Sequence, residues 1–215
     1  MSLLIDMSLK DFSDLLASNA PAPGGGSTAA LSGALASALT IMVVNLSLGK
    51  KSYEALNTNI KNKIAADYEA VKALNKELAK LVDEDSEAFN GVMASLKLPK
   101  ETEEDRNKRA ESIEMACQYA LRVPLTVAEK CLLILRHQIE IARYGNKNAV
   151  SDIGVGALMA FAGLEGAALN VKINLPSITD KSIKANALRI IDDYLNEGKR
   201  LKTEVITIVN NRIGE

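Results

Sequence analysis

Residues 28–48 read TAALSGALASALTIMVVNLSL, 21 positions without a single charge. That length is enough to cross a bilayer. Ser32, Ser37, Thr40, Asn45 and Ser47 interrupt the run, and it begins in glycine-rich backbone without an aromatic anchor, so it reads better as a helix buried among other helices. Within it Ala29, Gly33, Ala36 and Thr40 recur at spacings of four, three and four, one face of a 3.6-residue helix. Small side chains on one face let a second backbone approach closely. The same spacing returns in Gly156, Ala160, Gly163 and Ala167, inside a stretch from Val150 to Val171 whose only charges are Asp152 and Glu165. Two such stripes predict one tight central helix contact, within or between subunits.

The flanking sequence reads as further helices separated by short breakers. Ser8 with Asp11 three residues on has the pattern of a capping box, opening a helix that fades near Ala17. Ser52 is a candidate cap for a long amphipathic helix carrying Leu56, Ile60, Ile64, Val71, Leu74 and Leu78 and running to about Leu96. Leu98-Pro99-Lys100 breaks it, and Thr102 with Asp105 offers a new start. Pro124 is expected to end or kink that helix, with another following to about Tyr144. After the turn cluster Gly145-Asn146-Lys147-Asn148 and the second small stripe, Leu169, Val171, Ile173 and Leu175 alternate with polar residues, which predicts a short extended segment over 169–175. Pro176 and a last helix from about Asp180 to Ile213 complete the chain. One extended segment does not make a sheet. The predicted class is all-α, an up-and-down bundle with long central helices and a single domain over residues 1–215.

A chain of 215 residues can bury a continuous core without disulfides or metal. Its 26 Lys and Arg against 27 Asp and Glu provide no field that would gather nucleic acid or anionic lipid. Cys117 and Cys131 lack CxxC spacing and read as reduced thiols of a cytoplasmic protein; Met1 to Asp6 lacks the basic start and apolar core of a signal peptide. The one histidine, His137, has neither the neighbours of a metal cluster nor those of a nucleophilic triad, so no metal site is expected and a structural or surface role is assigned to it.

Chemistry concentrates at a few places. Pro21-Ala22-Pro23-Gly24-Gly25-Gly26-Ser27 runs straight into the first apolar helix. Its glycines leave N–H groups free to curl around an anion or a ligand oxygen at the positive end of a helix dipole, and Ser27 is a natural N-cap. No strand precedes the loop and no Gly-Lys-Ser/Thr follows, which excludes dinucleotide and P-loop readings. In the cluster Asp83, Glu84, Asp85 and Glu87, Asp85 shares a helix side with Leu78, Leu81, Val82, Ala88 and Val92. Burial there would raise its pKa and fit it for proton transfer near neutral pH, while its three acidic neighbours read as a solvated turn. Asn148 or Ser151 can cap the second apolar helix, with Asp152 either favouring its dipole or entering the pocket of the Gly24–Ser27 loop. Asn170 and Asn174, flanking Lys172, offer amides suited to an amide-bearing heterocycle or to nearby backbone.

Four motifs in order, Pro21–Ala30, Asp85-Ser86-Glu87-Ala88-Phe89, Ser151-Asp152-Ile153-Gly154-Val155-Gly156-Ala157 and Asn170-Val171-Lys172-Ile173-Asn174-Leu175, resemble the cyclodeaminase domain of formiminotransferase-cyclodeaminase and its stand-alone bacterial relatives. The resemblance runs from about residue 7 to the C-terminus. It implies a homodimer or higher assembly and a tetrahydrofolate substrate without metal or other cofactor. It implies one of two reactions at the N5–N10 bridge: hydrolysis of 5,10-methenyltetrahydrofolate to the 10-formyl form, or closure of 5-formiminotetrahydrofolate with loss of ammonia. The cyclohydrolase comes first, since no transferase domain accompanies the sequence; a folate-binding or scaffold module without turnover is the alternative from another class. On this reading Asp85 is the acid/base, Asp152 orients the pterin or assists proton transfer, Pro23 and the Gly24–Ser27 backbone supply donors, Asn148, Ser151, Asn170 and Asn174 bind substrate, and Lys147 or Lys172 meets a glutamate carboxylate.

Overall fold

The computed structural model describes residues 3–213, and among them the order is wholly helical. The helices are α1 (Leu9–Leu16), α2 (Gly25–Ser47), α3 (Lys51–Glu54), α4 (Thr58–Leu96), α5 (Glu103–Tyr144), α6 (Val150–Asn174) and α7 (Lys181–Ile213). Single 3-10 turns cover Leu4–Asp6, Lys147–Ala149 and Leu175–Ser177. The long helices run up and down in two layers. α4, α5 and α7 lie side by side; α2 rests on α4 and α5, and α6 rests on α5 and α7.

The two small stripes meet. A Cβ added to Gly163 would stand 2.9 Å from the Ala29 carbonyl and 3.3 Å from the Gly33 nitrogen, and one on Gly156 would stand 3.3 Å from the Ala36 carbonyl. α2 and α6 are therefore antiparallel and backbone-close, and Ser32 Oγ donates across the seam to the Met159 carbonyl at 2.8 Å. Their inner faces join one core with Leu78, Leu132, Leu135 and Ile153. Their outer faces have no helix above them: Leu35, Met42, Leu46, Val155, Leu158 and Leu169 are exposed. The expectation of helices buried among other helices holds for one side of each.

The caps at Ser8 and Thr102 form as expected: the Ser8 and Thr102 side chains accept from Asp11 N and Asp105 N. Five expectations are corrected. Ser52 falls inside the short α3; the long helix starts later, with Asn57 Oδ1 accepting the Ile60 N–H at 3.0 Å. Ser27 is the third residue of α2, whose N-cap is Gly24. α6 has Ala149 as N-cap without a side-chain bond, so neither Asn148 nor Ser151 caps it. Residues 169–175 are not extended. The apparent alternation is two interleaved i,i+4 pairs, Val171 and Leu175 facing the core while Leu169 and Ile173 face out.

The fifth correction concerns the helix end expected at Pro124, which sits buried in the middle of a continuous α5. A proline cannot donate to the carbonyl four residues back, here Ala120. That orphaned carbonyl accepts a hydrogen bond from Asn174 Nδ2 at 2.8 Å. A side chain from α6 replaces the missing backbone donor, so the helix continues.

Candidate active site

A cleft of about 390 Å³ opens where the N-terminus of α2, the C-terminal part of α4, the middle of α5 and the C-terminus of α6 converge. The volume lies in the range of small-molecule sites. Gly24, Gly25 and Gly26 form one wall, Asp85, Ser86 and Phe89 a second, Cys117 and Ala120 a third, and Asn170, Ile173 and Asn174 the last.

Asp85 is anchored at the α2 terminus. Its Oδ2 accepts the Ser27 N–H at 2.9 Å and the Ser27 hydroxyl at 3.2 Å; that hydroxyl also stands 3.3 Å from Ser86 Oγ. Oδ1 has no hydrogen-bond partner among the described residues. Burial pushes the carboxyl above its usual range, and the two Ser27 hydrogen bonds pull the other way without cancelling the rise. A Cβ on Gly26 would fall on this carboxylate, so the glycine is required for the acid to come this close. The Ser27 N–H, expected to be open to a ligand, is already used, leaving the Gly25 and Gly26 N–H groups as the free donors of the turn.

The two asparagines hold fixed orientations. Asn170 Nδ2 donates to the Gly166 carbonyl at 2.9 Å and Asn174 Nδ2 to Ala120, which leaves both amide oxygens at the cleft as acceptors. Pro23 is buried behind the loop, with a cis Ala22–Pro23 bond before it. Ser27 is likewise behind the wall, reaching the cleft only through Asp85.

Lys147, Asn148, Ser151 and Asp152 are not in this cleft. They sit at the opposite end of α6, Asp152 lying 18 residues before Asn170, about 27 Å along the axis at 1.5 Å per residue. Their side chains make no hydrogen bond or ion pair among the described residues. Lys172 is exposed beside the cleft without lining it. Among the described residues, no lysine or arginine lines the cleft.

Other groups depart from their expected surroundings. Asp83 is not a solvated turn residue: its carboxylate accepts the Leu4 and Ile5 N–H groups and holds the N-terminal turn on α4. His137 is structural as expected, its Nδ1 2.7 Å from Oδ1 of Asp67, a buried carboxylate that no motif in the sequence marks. Cys117 and Cys131 are free and buried, and Cys117 forms part of the cleft wall, a place that no spacing in the sequence marks.

With this geometry in place, the comparisons with known proteins align with it. A family model described as Formiminotransferase-cyclodeaminase matches residues 8–193. The chain belongs to this family. Methenyltetrahydrofolate cyclohydrolase of Methylorubrum extorquens is 37% identical over 205 residues, covering 95% of this chain and 97% of that one. Formimidoyltransferase-cyclodeaminase of Gallus gallus is 35% identical over 209 residues, of which this chain spans 38% of the length. The crystal structure of formiminotetrahydrofolate cyclodeaminase from Thermotoga maritima superposes with a TM-score of 0.83 at 28% identity, covering 96% of this chain and 97% of that one. The four family motifs fall on α4, on α6 with the turn after it, and on α2 with the loop before it, and three of them converge on the cleft.

Proposed function

We propose that this family member is a folate one-carbon enzyme that hydrolyses 5,10-methenyltetrahydrofolate to the 10-formyl form. The observation that carries the reading is Asp85: a carboxyl of raised pKa, fixed at a helix terminus on the wall of a cleft, with one oxygen free. Water adds to the bridge carbon of the N5–C–N10 amidinium while Asp85 takes one of its protons. Asp85 then returns that proton to N5 as the C–N5 bond breaks, the remaining hydroxyl becomes the formyl carbonyl, and its proton leaves to solvent. A carboxyl with a pKa drawn toward neutrality serves both directions of this transfer. The Asn170 and Asn174 oxygens suit the N–H groups of a pterin, and Phe89 with Ile173 covers its rings. No resident cofactor or metal enters this sequence of steps.

Near-full-length identity to a cyclohydrolase favours this order of readings. The length of the sequence does not, because the Thermotoga maritima cyclodeaminase chain has the same span. Closure of 5-formiminotetrahydrofolate with release of ammonia uses the same group in the same place and is the second reading. The near-ultraviolet absorbance of the methenyl bridge decides between them. Its loss from methenyltetrahydrofolate above the spontaneous rate means cyclohydrolase; its gain from formiminotetrahydrofolate, with ammonia, means cyclodeaminase; silence in both refutes turnover and leaves a binding module. We further propose that the protein is a cytoplasmic homodimer whose exposed apolar helix faces meet protein, not lipid or nucleic acid.

A further inference from the structure

Pro124 stands one turn of α5 beyond Ala120, buried and without lining the cleft, whereas Ala120 is part of the cleft wall. The proline ring supplies no N–H and crowds the carbonyl four residues back, that of Ala120, out of the helical row of hydrogen bonds. Asn174 Nδ2, at the end of α6, meets that carbonyl at 2.8 Å.

An amide side chain has one donating and one accepting end, and turning it over exchanges them. For Asn174 such a turn would set its Oδ1 against the Ala120 oxygen, two acceptors in contact, and would leave the carbonyl unmet. One orientation is therefore open to it, with Nδ2 on α5 and Oδ1 at the cleft. Asn170 is under no such constraint. Its Nδ2 donates to the Gly166 carbonyl at 2.9 Å, but Gly166 lies four residues back on the same helix and already receives the Asn170 backbone N–H. That side-chain bond is an addition to a satisfied carbonyl, so the Asn170 amide can turn to suit a ligand without leaving a backbone group unmet.

We propose that Pro124 is a positioning residue for the ligand: by taking the helical donor away from Ala120, it locks the Asn174 amide with its oxygen in the cleft. The cleft then holds one amide of fixed polarity, Asn174, and one that adapts, Asn170. The fixed oxygen selects a heterocycle that presents an N–H or amino group to the α6 end of the cleft, and rejects one that places a bare ring nitrogen or a carbonyl oxygen there. That the heterocycle is a pterin rests on the folate reading; the locked amide does not.

The first arm of the test is spectroscopic and needs no substrate. In protein labelled with nitrogen-15 at asparagine, the Asn174 side-chain signal is the one that Asn174→Ala removes. Its bonded Nδ2 proton should exchange with water more slowly than those of exposed asparagines, and Pro124→Ala should abolish that protection. Pro124→Val also restores the N–H while keeping more of the buried volume, and it should act in the same way. Protection retained in both variants, or lost in the alanine variant alone, would overturn the proposal, the second by tracing the effect to packing.

The second arm is kinetic. A wall that must first order its amide binds more weakly and reacts at the same rate once loaded. Pro124→Ala should therefore raise KM about two- to tenfold, the usual cost of immobilising one side chain, with kcat unchanged. Added to Asn174→Ala it should change KM no further, because the group it acts through is gone. Effects of the two substitutions that simply multiply would show the proline acting through the shape of α5 and refute the lock. Wild-type protein silent on both folates defeats the folate reading, and the amide signal then decides the proposal alone.

Discussion

Asn174→Ala tests the link between the fold and the cleft. In the wild type the Ala120 carbonyl has lost its helical donor to Pro124, and the Asn174 amide replaces it at 2.8 Å. Deleting that amide leaves the carbonyl without a protein partner, which costs about 1–3 kcal/mol for a buried group. Both residues are half-buried and border the open cleft, so the lower end applies, about 1 kcal/mol, or a fall of about 2–4 °C in Tm for a chain of this size. The decisive comparison is with Pro124→Ala. There residue 124 has an N–H that can reach Ala120 directly, so the amide becomes redundant and Asn174→Ala should cost close to nothing. The four proteins of this double-mutant cycle, unfolded in urea at one fixed protein concentration, should show a coupling of about 1 kcal/mol. Equal costs of Asn174→Ala in both backgrounds would refute the idea that a cross-helix amide is what lets the proline sit inside α5.

Four further outcomes follow from the site. Asp85→Asn should lower turnover by about 10²–10⁴-fold, the usual worth of a general acid–base group, with the helical circular dichroism unchanged; wild-type kcat in that variant removes Asp85 from the chemistry. The same substitution should stabilise the protein at neutral pH. Burial raises the folded-state pKa of Asp85, so the folded protein binds the proton more tightly and the wild type loses stability as pH rises from the ordinary carboxylate range through the raised value. The difference between variant and wild type, followed by urea titration, should therefore fade on acidification, and a difference that grows instead contradicts the assigned burial. Gly26→Ala should displace the Asp85 carboxylate and cost activity at least as severely as stability, seen as a fall in kcat with retained folding. Cys131, fully buried with its thiol pushed up to about 12, should ignore a disulfide reagent at pH 8 until denaturant is added; rapid labelling of both thiols in the native state would contradict the packing.

Several features were legible because they depend on residues close in sequence. The N-caps at Ser8 and Thr102, the second a full capping box, each need only a hydroxyl and a carboxylate three positions apart, and the small stripes need only helical spacing, so both could be read from the sequence and both are found. Asp85 was marked by the same periodicity, a carboxylate on the apolar side of a helix. The misread places share one cause. Pro124 was expected to end or kink its helix; the helix does not end there, because the Ala120 carbonyl that the proline leaves without a donor is met by Asn174, 50 residues beyond the proline. The alternation over 169–175 imitated a strand because Leu169 and Ile173 on the outer face of α6 are as apolar as Val171 and Leu175 on the inner one, so periodicity had little contrast to detect. Ser27 had the right chemistry for a cap; Gly24 opens the helix instead, and the Ser27 hydroxyl serves Asp85 from α4.

By itself the sequence determined the helical class, the two backbone-close helices, a carboxylate at Asp85 on the apolar side of its helix, and a glycine-rich turn at Gly24–Gly26. These follow from the 3.6-residue period and from the conformational and donor properties of single residues, which travel with the local chain. Only the tertiary structure decided which candidates meet. Gly24–Gly26, Asp85, Asn170 and Asn174 converge because α2 and α6 are antiparallel and α4 passes the α2 terminus, whereas Lys147, Ser151 and Asp152 are held about 27 Å away along a rigid α6. Helical spacing states which face a residue occupies. Which helix end stands beside which is fixed by the packing of whole helices, a property of long-range contacts that no local pattern encodes.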